Sequence, residues 1–355
     1  MNKSSLMLGM VLLFLSGNCF AQTGILDQDA EFRKLPPRIV KPAAAAPQTP
    51  GLDAPKPQLG TPEGFVPSKK VYAPVHSDNL NIDPVIDSIN ISRSERPVSG
   101  SHRKGDNPEI FLIGDSTMRT EVDGNGSNGQ WGWGYYAHEF FNEDLITVEN
   151  HALGGLSCRT FYRDWWPDVI KGVKKGDYVI IQIGHNDSGP YDTPSGRSSI
   201  PGSGKETVSV ENPRTGTVET VYTYGEYLRK YIDEVRKKGA KPILFTLTPR
   251  NQWMEDGTVR RKNDSYNIWI HEVAKEKKVP VVDLEDISAK KFEKFGHAKV
   301  DYMFYKDNIH SSAFGAMNNA RSAAEGIAAC EGSDLKKYLL PVEPEKQEFA
   351  REEGK

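Results

Sequence analysis

Five short apolar runs, at 110–113, 146–148, 178–183, 242–247 and 279–284, alternate with longer stretches of helical spacing. That alternation constrains the fold more than any other feature of the chain. A strand that is apolar throughout is buried on both faces, as in a parallel sheet covered by helices. The helical spacing is clearest at 224–238, where Tyr227, Leu228, Tyr231, Ile232 and Val235 share one face and Gly239 supplies a stop. Residues 262–278 and 311–329 read likewise. The expected class is α/β: a three-layer α/β/α sandwich on a five-stranded parallel sheet of flavodoxin-like order. This domain is expected at 108–340.

The remainder of the chain reads differently. Residues 1–21 have the form of a secretory signal, with Lys3, an apolar core at 6–15, and a cleavage site ending at Ala21. The core is too short for a membrane span, and no other stretch is apolar enough to cross a bilayer. The protein is therefore expected to be exported, to a periplasm or the extracellular space. A lipid anchor at Cys19 is the alternative, against which stands Asn18 in place of a small residue. Residues 22–107 read as a proline-rich linker and extended amino-terminal segment, and 341–355 as a charged tail. Apolar pieces such as Val85, Ile86 and Ile89 could lie against the domain. Export permits a disulfide between Cys158 and Cys330; two buried thiols are the simpler expectation. A formal net charge of -3 argues against a nucleic-acid partner.

Four polar blocks collect where the runs end. Gly114, Asp115 and Ser116 terminate the first run, and ligands of open α/β sheets bind outside the carboxyl ends of strands. Ser116 is a candidate nucleophile; alternatively the stretch caps a helix. The second run leads to Gly155, whose N–H could face a ligand or simply turn the chain. The third leads to Gly184, His185, Asn186 and Asp187, where the Asn186 amide could meet an oxyanion or cap a helix. Asp307 and His310 share one face of a turn, so the carboxylate can hold Nδ1–H and leave Nε2 as a base. Asp307 as a helix cap is the plainer alternative.

Taken together, the four blocks resemble the SGNH or GDSL hydrolase family over about 110–330. The serine lacks the Gly-x-Ser-x-Gly elbow of ordinary α/β-hydrolases. The resemblance implies Ser116 as nucleophile, His310 as base and Asp307 as its orienting acid. It implies an oxyanion hole from the Ser116 and Gly155 N–H groups with Asn186, and no metal or cofactor. The motifs at 114–117, 150–159, 184–187, 224–228, 238–244 and 248–253 are similar to those of rhamnogalacturonan acetylesterases and their bacterial relatives. The implied activity is secreted O-deacetylation of a pectic polysaccharide or oligosaccharide. An esterase for xylan, peptidoglycan or a lipid ester remains open, as does a non-catalytic glycan-binding protein.

Other residues carry weaker signals. His151, His185 and His297 form no recognised zinc spacing, and His185 reads as structural. Trp131 and Trp133, in a glycine-rich loop, and Trp253, after the fourth run, could stack on sugar rings or pack inward. Trp165 and Trp166 read as core. The polar insertion at 191–221, with a turn at 212–216, could wall a cleft or form a plain surface hairpin.

Overall fold

The computed structural model describes residues 97–119, 130–212, 216–262, 265–304 and 307–341. The expected signal, the linker up to residue 96, the tail beyond 341 and most of the expected turn, at 213–215, lie outside them.

The central sheet contains β1 (Glu109–Gly114), β2 (Thr147–Asn150), β3 (Tyr178–Gln182), β6 (Lys241–Phe245) and β7 (Val281–Val282). Its order is β2-β1-β3-β6-β7, with every pair parallel, which is the expected flavodoxin-like arrangement. The whole of β1 is buried, so both its faces are covered. Alternate residues Phe111 and Ile113 of β1 and Val179 and Ile181 of β3 enter one hydrophobic cluster. That cluster also takes in side chains from α1 (Cys158–Asp164), α2 (Trp166–Gly172), α3 (Tyr224–Lys237) and α4 (Tyr266–Lys277).

Helix α3 shows why these segments fold locally. Thr223 caps it by accepting from the Glu226 N–H, and Gly239, at φ +74°, turns the chain out after it. Leu228, Ile232 and Val235 are at most 1% exposed, each worth about 1.5–3 kcal/mol of apolar burial. Trp166 is in the core, with its indole N–H on Glu234.

The chain departs from the sequence reading at the last run. Only Val281 and Val282 pair, because Asp283 caps a new helix, α5 (Leu284–Phe295), by accepting from the Asp286 N–H. A short helix α6 (His297–Val300) and the long α7 (Ala313–Ala329) follow. Cys158 and Cys330 are buried free thiols.

The insertion holds an antiparallel hairpin of β4 (Thr207–Glu211) and β5 (Val218–Tyr222). It is tied to α1 by buried Arg159, which donates to the Tyr191 and Ser198 carbonyls and pairs with Glu219. Residues just before β1 also lie against the domain: the N–H groups of Gly100 and His102 donate to Glu149, and Arg103 pairs with Asp177.

Candidate active site

The carboxyl end of β1 runs into a turn in which the Asp115 carbonyl accepts from the Met118 and Arg119 N–H groups. The Asp115 side chain fixes this turn. One oxygen accepts from the Thr117 N–H and hydroxyl at 3.0 and 2.9 Å, the other from the N–H groups of Gly184 and His185 at 3.4 and 3.2 Å. Burial pushes the Asp115 carboxyl up, and these bonds work against it. The turn after β1 is thus bolted to the turn after β3, with Ser116 at its apex. Asp115 was not singled out from the sequence. Its position before the serine was the available signal, since a buried carboxylate must find several donors.

The histidine comes from the other end of the chain. Asp307 Oδ1 accepts from the N–H groups of Ile309 and His310, both at 2.7 Å, closing a tight turn. Asp307 Oδ2 lies 2.6 Å from His310 Nδ1, and His310 Nε2 lies 2.9 Å from Ser116 Oγ. Burial would raise the Asp307 carboxyl, but the His310 ring and the two N–H groups hold it below its ordinary value. Two residues on, Ser312 caps α7 by accepting from the Gly315 N–H, which anchors the loop.

A tryptophan–glycine segment joins these halves. The Trp131 N–H donates to the Ser311 carbonyl and the Trp133 N–H to the Thr117 carbonyl, each at 2.9 Å. The strap thus bonds to the immediate neighbours of both His310 and Ser116. A Cβ at Gly132 would stand 2.3 Å from the Arg119 carbonyl oxygen, so only glycine permits this approach.

Burial corrects two candidate sugar contacts. Trp133 is 1% exposed, donates from its indole to Gln182 at 2.7 Å and stacks on Phe245, so no sugar can reach its face. Trp253 is 5% exposed, donates to Asn251 and packs among Val259, Ala289 and Phe292. Trp131 is half-buried and stacks on Tyr136.

The candidate oxyanion donors occupy the second and third blocks. The Leu153 N–H donates to the Gly114 carbonyl, laying the second block along the first. Gly155 adopts φ +76°. Among the described residues, neither its N–H nor that of Ser116 has an acceptor. The Asn186 amide donates to the Leu156 carbonyl at 3.1 Å, which joins the second and third blocks and leaves its other N–H. His185 Nε2 lies 3.1 Å from Thr248 Oγ1. Burial, followed by nearby Lys262, Arg250 and His310, drives this imidazole well below its ordinary value, so it is neutral. Among the described residues no cluster of His, Cys, Asp and Glu gathers to hold a metal, and no helix is long and apolar enough to cross a membrane.

The chain matches the model of the GDSL-like lipase/acylhydrolase family across residues 112–316. The chain belongs to that family. Family membership makes it an ester hydrolase. It is 31% identical to a rhamnogalacturonan acetylesterase of Emericella nidulans, over 65% of this chain and 88% of that one. It is 30% identical to the rhamnogalacturonan acetylesterase RhgT of Bacillus subtilis, over 66% and 95% respectively. A solved structure of the Bacillus subtilis protein YxiM is 26% identical with a TM-score of 0.51, covering 62% of this chain and 56% of that chain.

Asp187, last residue of the third block, is a further buried support. It accepts from the Cys158 N–H at the start of α1 and from the Ser199 hydroxyl. Burial pushes its carboxyl up to about 7. An acid raised in the folded state favours folding while protonated. Its contribution is full below about pH 4 and is lost as pH rises towards about 7. Asp187→Asn should therefore flatten this part of the stability profile, measured by urea melts from pH 4 to 8. A wild-type-like fall in the variant would contradict the assignment.

Proposed function

We propose that this chain is a carbohydrate O-acetylesterase acting on acetylated rhamnogalacturonan, with Ser116, His310 and Asp307 as its catalytic set. The observation that carries the reaction is the continuous contact from Ser116 Oγ to His310 Nε2 and from His310 Nδ1 to Asp307. The substrate rests on the two named acetylesterases, matched over most of their length.

The chemistry follows from that contact. Ser116 Oγ attacks the acetyl carbonyl while His310 Nε2 takes its proton. Asp307 fixes the Nδ1–H tautomer and stabilises the imidazolium. The Ser116 and Gly155 N–H groups and the Asn186 amide receive the oxyanion, one such donor being worth about 3 kcal/mol of barrier. Collapse breaks the ester bond, and His310 returns the proton to the departing sugar oxygen. Water, deprotonated by His310, then attacks the acetyl-enzyme, releasing acetate and regenerating Ser116. Export is inferred from the signal-like first 21 residues.

The test is acetate release from acetylated rhamnogalacturonan, homogalacturonan and xylan at matched acetyl content. The first should be turned over with the highest kcat/KM. Equal rates on all three would remove the pectic assignment and leave the esterase.

A further inference from the structure

Arg250 lies five residues beyond β6, at the edge of the sheet that carries Ser116. Its flanks are fixed to the site. Thr248 Oγ1 meets His185 Nε2 at 3.1 Å, and the Asn251 N–H donates to the carbonyl of Asn308, next to Asp307, at 2.9 Å. Its guanidinium is different. It is half-buried, its Nε is shut away from solvent without a partner, and it forms no hydrogen bond or ion pair among the described residues. Comparably shielded arginines are paired: Arg103 with Asp177, Arg159 with Glu219, Arg229 with Glu276 and Arg261 with Glu293.

The nearby carboxylates offset the burial of Arg250 only in part. Asp307 and Asp115 are within electrostatic range, but Asp307 is engaged by His310 and Ile309, and Asp115 by Thr117, Gly184 and His185. Burial lowers the guanidinium from its ordinary value, with Asp307 acting in the opposite sense. A shielded cation without a counter-charge is costly unless an anion arrives to meet it. The planar fork of arginine matches a carboxylate, to which it can offer two parallel N–H donors.

We propose that Arg250 receives the carboxylate of a uronic acid unit of the acetylated glycan and so selects acidic over neutral polymers. This assignment rests on the pectic reading above and adds a residue that enforces it. Oriented by the fork, the chain presents its acetyl ester to Ser116, while a neutral chain leaves the cation unmet.

The test compares acetate release from acetylated rhamnogalacturonan oligosaccharides, their methyl-esterified counterparts, and acetylated xylo-oligosaccharides, using wild type, Arg250→Gln and Arg250→Lys. Wild type should lose about 10- to 100-fold in kcat/KM on methyl esterification, mostly through KM. In Arg250→Gln the ratio between the two should approach one, and Arg250→Lys should keep part of it. Equal losses on both substrates in Arg250→Gln would overturn the proposal, since they would mark a general role at the reacting centre. If that variant does not fold, the wild-type comparison still decides, and indifference to methyl esterification overturns the proposal. Rhamnogalacturonan preferred, with no effect of the carboxyl, removes Arg250 alone. Xylo-oligosaccharides preferred removes the pectic reading with it.

Discussion

Ser116→Ala should reduce acetate release by about six orders of magnitude, with KM little changed. Removal of Oγ leaves His310 and Asp307 paired at 2.6 Å and deletes the oxygen proposed to carry the acetyl group. The fold should survive, because the turn is fixed by Asp115 and by the Trp133 N–H on Thr117, not by the serine side chain. Far-UV circular dichroism and a melting curve like the wild type would separate lost chemistry from lost structure. Residual turnover near wild type in a folded variant would remove Ser116 from the nucleophile position.

Asp307→Asn should cost about 10⁴-fold in kcat. The carboxylate makes three short contacts: two backbone N–H groups on one oxygen and the imidazole on the other. An asparagine can keep the backbone contacts through its carbonyl but then turns an NH₂ towards His310 Nδ1. Nδ1 must become an acceptor, the proton moves to Nε2, and the ring can no longer take a proton from Ser116. The same variant should also be less stable than wild type at neutral pH, with the difference shrinking as pH falls below about 4. Asp307 lies below its ordinary value in the folded state, so its stabilisation is present above about pH 4 and lost as pH falls. A loss under tenfold in kcat would mean that His310 does not depend on Asp307 for its tautomer.

Strand positions and the polar blocks after them were legible in the sequence because a parallel sheet imposes apolar continuity and places functional turns at the strand ends. The runs at 110–113 and 178–183 fall within or next to β1 and β3. The pairing of two strands around 212–216 was legible for the same kind of local reason, and the Asn212 N–H does donate to the Thr217 carbonyl, while 213–215 lie outside the described residues. Local pattern failed where burial decides. Trp133 opens a one-turn 3-10 helix and Trp253 lies in an irregular stretch bridged to Val259, yet their indole N–H groups find Gln182 and Asn251, which lets both rings be buried. Helix α5 was hidden because a two-residue strand and its cap, Asp283, adjoin it without a glycine or proline break. Arg250 stood inside the motif at 248–253, but nothing in the sequence gave it a role of its own; only the packed structure shows its guanidinium without a hydrogen-bond or ion-pair partner among the described residues.

The central claim is that a hydroxyl at 116 is made nucleophilic by the imidazole at 310. It is tested most directly by rapid acid quench during turnover of p-nitrophenyl acetate, with peptide mass spectrometry of the trapped enzyme. The expected result is one acetyl group on Ser116 in wild type and none there in His310→Ala. An acetyl group on another side chain in wild type, or equal labelling of Ser116 in both proteins, would contradict it.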